Sequence, residues 1–131
     1  VNIKKIVVHC SASPQGRGDN AETIHRWHLK RGWWGIGYTE VILESGEIEH
    51  GRPPYWPGAH VNGHNEHSIG VCLIGLGGDA TRDQLQSLRY YITTILEKFP
   101  AAEILGHCDL DSNKSYCPGF DVKAWWQAEV E

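Results

Sequence analysis

Ile3-Lys4-Lys5-Ile6-Val7-Val8-His9, running straight into Cys10-Ser11-Ala12, is the stretch on which the fold of this chain turns. Its length and β-branched residues mark a buried strand, and the Gly-, Ser- and Pro-rich segment Ser11 to Asn20 marks the loop behind it. The strand delivers an imidazole, His9, at the point where it ends. Strand C-terminal ends are where α/β sheets usually hold ligands.

Outward from this strand, helical and extended patterns alternate. Asp19-Asn20-Ala21-Glu22 has the spacing of a capping box, and a helix follows to about Arg31, with Ile24, Trp27 and His28 on one face and Gly32 as its stop. Tyr38 to Leu43 and Glu47 to Gly51 predict a hairpin about the turn Ser45-Gly46, followed by a loop from Gly51 to Ser68. Ile69 to Ile74 is an apolar run fit for a central strand, broken by Gly75, Gly77 and Gly78. Thr81-Arg82-Asp83-Gln84 is a second capping box, and Leu85, Leu88, Ile92, Ile95, Leu96 and Phe99 form a helical stripe that Pro100 stops. Glu103-Ile104-Leu105 predicts a short strand leading to His107, and Asp121 caps a last helix carrying Val122, Trp125 and Trp126. This order predicts an α/β fold, a single domain over residues 1–131 with a mixed central β-sheet flanked by about three helices.

A net charge of −4 argues against nucleic acid as a partner and against a polybasic membrane anchor. No apolar run approaches the ~18 residues that crossing a bilayer requires. Val1-Asn2-Ile3-Lys4-Lys5 does not read as a signal peptide, so synthesis is expected in the cytoplasm; the lack of Met is expected to reflect initiator removal or trimming. Four Cys in such a chain read as thiols or ligands rather than as a disulfide framework. Alternation along the first strand puts Cys10 opposite His9, so Cys10 is expected in the core, as is Cys72; Cys108 reads either way.

Two further strings carry chemistry: Gly106-His107-Cys108-Asp109-Leu110 and Cys117-Pro118-Gly119-Phe120-Asp121. Two imidazoles and one thiolate, from His9, His107 and Cys117, make a three-ligand zinc set with a fourth position open, the composition of a catalytic zinc site. Spacing alone does not select this trio from eight His, since a strand-end His more often serves as a structural hydrogen-bonder. His25 reads as exposed and His28 as semi-buried, neither as a ligand, and His50 reads as exposed. His60, His64 and His67 share a loop, where one residue lining a groove is favoured over a second metal cluster.

The ordered blocks Val8-His9-Cys10-Ser11-Ala12, Trp27-His28, Gly32-Trp33, Gly35-Ile36-Gly37-Tyr38, Gly51-Arg52-Pro53, Gly58-Ala59-His60, Gly63-His64-Asn65, His67-Ser68-Ile69-Gly70-Val71, Gly106-His107, Asp109-Leu110 and Cys117-Pro118-Gly119-Phe120-Asp121 cover nearly the whole chain. Together they resemble the zinc-dependent N-acetylmuramoyl-L-alanine amidases of the phage-lysozyme type, which are related to the peptidoglycan recognition proteins. The resemblance implies hydrolysis of the amide between the lactyl group of N-acetylmuramic acid and L-alanine in peptidoglycan. It implies Zn2+ on His9, His107 and Cys117, and a catalytic Tyr at Tyr38. A family Lys lies two residues before the ligand Cys; here that position is Ser115, while counting forward from His107 puts Lys114 in its place. Lys114 is favoured to bring positive charge to the oxyanion, with Ser115 as a neutral hydrogen-bond donor on the substrate side.

Thr39-Glu40 departs from relatives that often carry His and an aromatic. Strand alternation puts Glu40 on the same face as Tyr38, near the metal edge, where it could assist proton transfer or orient a ligand; the plainer reading is a solvent-facing strand carboxylate. His60 is expected to line the substrate groove. Asp109 is read either as a hydrogen-bond partner of a ligand His or as a turn cap, and Trp27, Trp33 and Trp125 as mainly core.

The resemblance further implies a muramyl-peptide substrate, a monomer, and a phage or prophage endolysin that reaches the wall after the membrane is permeabilised. Recognition-only relatives commonly lack the Cys ligand, so Cys117 favours the enzyme. Some phage relatives also bind phage RNA polymerase; no segment of this sequence marks such a surface.

Overall fold

A computed structural model describes residues 2–53, 67–111, 113 and 116–130. The elements run β1 (Lys5–Cys10), α1 (Ala21–Lys30), β2 (Glu40–Ile42), β3 (Ile48–His50), β4 (Ser68–Leu73), α2 (Arg82–Lys98), β5 (Glu103–Gly106), a single 3₁₀ turn at His107–Asp109, and α3 (Val122–Val130). The strands form one mixed sheet in the order β3-β2-β4-β1-β5. β1 pairs in parallel with β4 and β5, β2 runs parallel to β4, and only β2–β3 is antiparallel. The expected mixed α/β domain is the one observed.

β1 and β4 sit in the middle because both of their faces are covered, which suits near-continuous apolar runs. All six residues of β4 are buried. Alternation sorts the side chains between two cores. Ile6, Val8, Ile42, Ile69, Val71 and Leu73 pack with Leu88 and Ile92 of α2 and Val122 of α3. Val41 and Cys72 face the other way, packing with Ile24 of α1 and with Ile36 and Ile74.

The helices start where capping chemistry places them. On α1 the box is Asn20 with Thr23, one residue later than the expected Asp19–Glu22 pair: Asn20 Oδ1 accepts the Thr23 N–H at 3.0 Å, and the Thr23 hydroxyl accepts the Asn20 N–H. On α2 the expected Thr81–Gln84 box is present. Asp121 Oδ1 accepts the Ala124 N–H at the start of α3.

Gln84 does more than cap. It has no exposed surface, and its Nε2 donates to the Ile42 carbonyl at 3.1 Å and the Ile74 carbonyl at 2.9 Å, while Oε1 accepts from Thr81 N and Gln15 Nε2. One buried amide thus ties the ends of β2 and β4 to the first turn of α2. Replacing it by Leu leaves the Ile42 carbonyl its bond from the Ile74 N–H but strands the Ile74 carbonyl and the Thr81 N–H, so Gln84→Leu is expected to cost about 2–4 kcal/mol in urea unfolding, since each orphaned buried group costs about 1–3 kcal/mol.

Candidate active site

The register of the sheet brings two histidines side by side. Val8 of β1 is the partner of Gly106, the last residue of β5, so the next residues are His9 on β1 and His107 at the start of the 3₁₀ turn. β5 has just ended and β1 ends one residue later, at Cys10, and the imidazoles meet on the α1 side of the sheet, where the register partner of His9 is Cys72. His9 is almost wholly buried and His107 nearly so. Their Nδ1 atoms lie 3.1 Å apart.

Cys117 arrives from the opposite direction, on a turn that crosses the end of β1. Its carbonyl accepts the Cys108 N–H at 2.9 Å, and its sulfur accepts the Cys10 N–H at 3.3 Å. The turn sits directly on the loop after β4: the Gly78 N–H donates to the Pro118 carbonyl and the Tyr116 hydroxyl to the Gly77 carbonyl. A Cβ at Gly119 would collide with the Gly77–Gly78 backbone, so this close approach requires glycine.

The ligand atoms of His9, His107 and Cys117 all lie within 4.8 Å of one another, and among the described residues this is the one group of three or more metal-ligating side chains so placed. Two ring nitrogens on a tetrahedral ion would be separated by about 3.4 Å, given metal–nitrogen bonds of about 2.1 Å. The observed Nδ1 separation is close to that edge, and two nitrogens with one sulfur suit a borderline-soft divalent ion. The group could therefore hold a metal. Asp111 Oδ2 lies 3.9 Å from Nε2 of His107, on the ring nitrogen not facing the group. A carboxylate there favours the tautomer that leaves Nδ1 free to bind.

The group lies at a cleft of about 360 Å3, lined by Cys10, Ser11, Ala12, Arg31, Tyr38, Leu76, His107, Asn113, Tyr116 and Cys117. The half-buried Tyr38 ring packs 5.0 Å from the His9 ring and 5.5 Å from that of His28. Burial, then the charges of Cys72, Cys117 and Cys10, pushes its phenol well above the ordinary value of 10.0, so Tyr38 is a neutral hydrogen-bond donor at neutral pH.

Several sequence expectations change. Cys10 is not a core thiol: it is half-buried, lines the cleft, and its sulfur lies 3.8 Å from that of Cys117. Its side chain leaves the strand opposite His9, but the Cys117 turn wraps the strand end and meets both. The shared hydrogen bond pulls the Cys10 thiol down to about 7; the same bond and then burial push the Cys117 thiol up.

Glu40 does not lie beside Tyr38. The strand begins at Glu40, so alternation does not reach back to Tyr38. Glu40 is register partner of Val71, on the α2 face, and its buried carboxylate bonds His50 Nδ1 at 2.8 Å. It is neither at the metal group nor facing solvent. Burial pushes its pKa up, against the opposing pull of His50. Asp109 is the turn cap of its two readings: its Oδ2 accepts the Gly106 N–H at 2.8 Å. Trp27 and Trp125 pack against the two cores, while Trp33 stays 36% exposed, its ring tilted against that of His28 at 4.4 Å.

Cys72 is fully buried, as expected, and the His50 side chain is exposed. Lys114, Ser115 and His60 lie outside the described residues. Asp111 was missed, although its place four residues after His107 was a usable signal.

His28 is buried, and its Nδ1 accepts the Gly37 N–H at 2.9 Å. Burial first, then the charges of Arg31, Arg52 and His25, lowers its pKa from 6.5 to about 4. The unfolded chain therefore takes up this proton before the folded one. His28 contributes stability that is complete above about pH 6.5 and lost as the pH falls through about 4. Urea unfolding of His28→Asn is expected to lose less stability between pH 7 and pH 4.5 than the wild-type protein does.

The same architecture occurs in solved hydrolases of bacterial cell walls and in peptidoglycan recognition proteins. The endolysin N-acetylmuramoyl-L-alanine amidase LysCS from Clostridium intestinale superposes with a TM-score of 0.83 at 28% identity, covering 96% of this chain and 84% of that one. Drosophila PGRP-LB gives a TM-score of 0.81 at 27% identity, over 94% of this chain and 78% of its own; a tyrosine-to-phenylalanine mutant of that protein has been solved in complex with tracheal cytotoxin. Residues 1–120 match the family model for N-acetylmuramoyl-L-alanine amidase, and the chain belongs to this family as an endolysin-like cell-wall hydrolase. It is 36% identical over 129 residues to the endolysin of Escherichia phage T7, covering 93% of this chain and 84% of that protein. No helix among the described residues is long and apolar enough to cross a membrane.

Proposed function

We propose that His9, His107 and Cys117 hold zinc at the floor of the cleft and that the amide between N-acetylmuramic acid and L-alanine is cut there. The convergence of these three side chains at an open cleft carries the reading. When bound, zinc supplies Lewis acidity, bringing the pKa of a water molecule towards about 7 and polarising a carbonyl.

The chain's own residues do the rest. Asp111 holds the His107 ring in the ligating tautomer, and the Cys10 N–H steadies the Cys117 sulfur. Tyr38, kept neutral by burial, donates its O–H to oxygen at the reacting centre. Lys114 brings positive charge to the oxyanion, Ser115 being the neutral alternative, and His60 lines the substrate side. Glu40 takes no part, its carboxylate being engaged by His50 on the α2 face.

The tracheal cytotoxin complex of PGRP-LB supports a muramyl peptide lying along the corresponding cleft here. His9, Tyr38, His107 and Cys117 come from a single chain, which supports action as a monomer. The endolysin relatives support action on the wall once another agent has permeabilised the membrane.

Purified sacculi test the reading directly. Wild-type enzyme is expected to release stem peptides with a new L-alanine amine, to stop after chelation, and to resume when zinc returns. Cys117→Ser is expected to lose both stoichiometric zinc and hydrolysis while still sedimenting with sacculi; full hydrolysis by chelated enzyme would sink the assignment.

Separate substitutions distinguish the two oxyanion candidates. Lys114→Ala is expected to lower kcat by about 10²–10³-fold, the usual effect of removing one oxyanion donor. Ser115→Ala should stay near wild type; the reverse pattern would transfer the role to Ser115.

A further inference from the structure

Tyr38 stands at the end of a short strap, residues 35–37, that has no strand pairing of its own. Side chains hold it instead. His25 Nδ1 accepts the Ile36 N–H at 3.0 Å, and His28 Nδ1 accepts the next one, that of Gly37, at 2.9 Å. Arg52 Nε donates to the Ile36 carbonyl at 3.1 Å, and the Arg52 N–H donates to the Tyr38 carbonyl at 2.8 Å. The approach is close: a Cβ at Gly35 would come within 2.6 Å of the His25 ring.

His25 and His28 are one helical turn apart on α1, so a single rigid face presents two acceptors to two consecutive N–H groups. The spacing of acceptors on the helix then sets the backbone from which Tyr38 projects. The phenol oxygen lies at the far end of a long side chain, so a small rotation of the strap displaces it by much more than it moves the backbone. The His28 ring also packs against the Tyr38 ring, which in turn packs against the sheet histidine, His9.

We propose that His28, assisted by His25, is a positioning residue for Tyr38, acting by accepting the backbone N–H groups of the 35–37 strap. The proposal rests on the role given above to the Tyr38 hydroxyl. His28 touches neither metal group nor substrate in this scheme. Its acceptor must be the lone pair of a neutral ring carrying its proton on Nε2. Asn can place an amide oxygen where Nδ1 sits, whereas Phe fills the ring volume and offers no acceptor.

The test is a double-mutant cycle on zinc-loaded wild type, His28→Phe, Tyr38→Phe and the double variant, with a soluble muramyl peptide as substrate and zinc content measured for each. With Tyr38 in place, His28→Phe is expected to lower kcat by about 10–100-fold, as misplacing a reacting group by about 1 Å does, with KM and zinc content within about twofold. In the Tyr38→Phe background the same change should cost less than about twofold, because the oxygen it positions is already gone. His28→Asn should recover most of the loss.

Metal-free protein gives a second readout. With 3-fluorotyrosine incorporated, the 19F resonance lost in Tyr38→Phe should shift and broaden in His28→Phe and return in His28→Asn. If His28→Phe does not fold, His25→Phe takes its place in both experiments, with His25→Asn as its rescue and a smaller loss expected.

An equal loss of kcat in both backgrounds, a loss confined to KM or to zinc content, or an unmoved 19F line would overturn the proposal and leave the Tyr38 assignment intact. Wild-type turnover by Tyr38→Phe alone would overturn both.

Discussion

Two imidazole nitrogens 3.1 Å apart, both withdrawn from water, form the constraint around which the rest of the molecule is arranged. Two lone pairs cannot face each other at that distance without something between them. Either one ring donates a proton to the other, or both donate electron pairs to a cation. Only the second choice uses a nearby sulfur as well. The parallel register that pairs Val8 with Gly106 makes the encounter unavoidable, since it places His9 and His107 at equal height where neighbouring strands end. For that register to hold, β1 must be central and its other edge filled, which β4 does over all six residues.

The sheet supplies only two of the important groups, and the others travel on irregular backbone. Such segments are precise here because each is locked to something regular. The Cys117 turn is pressed against the loop after β4 so closely that Gly119 admits no side chain. The Tyr38 strap hangs from two histidines of α1. Polar residues that would be costly inside a core thus become the means of fixing loops, because each buried N–H they satisfy is one the loop cannot satisfy alone. Gln84 does the same for the ends of β2 and β4.

This division explains what was legible in the sequence. The strands and helices were, because hydrophobic period and capping boxes are local: β1, β4, α2 and the Thr81–Gln84 box appear within a residue or two of where pattern puts them. His9, His107 and Cys117 were legible only through resemblance, since they come from segments remote in sequence and nothing local links them. Cys10 was misread because alternation describes a strand and not the turn that folds over its end. The loop-fixing role of His25 and His28 had no sequence signal, as a histidine accepting a backbone N–H looks like any other histidine on a half-buried helix face.

Glu40 shows how a departure from family pattern is to be weighed. A carboxylate two residues after a site tyrosine invites a catalytic reading, yet its effect depends on which face of the sheet it joins. Here the strand starts at Glu40, and the strap before it does not follow strand alternation. The carboxylate therefore goes to the α2 face and pairs across the antiparallel hairpin with His50, its register partner. Burying it raises its pKa, and the contact with His50 offsets part of that cost. The departure is absorbed within the β2–β3 hairpin, away from the metal group. Tyr38 and Glu40 are near neighbours in sequence but belong to different halves of the molecule, and chemistry assigned to one does not pass to the other.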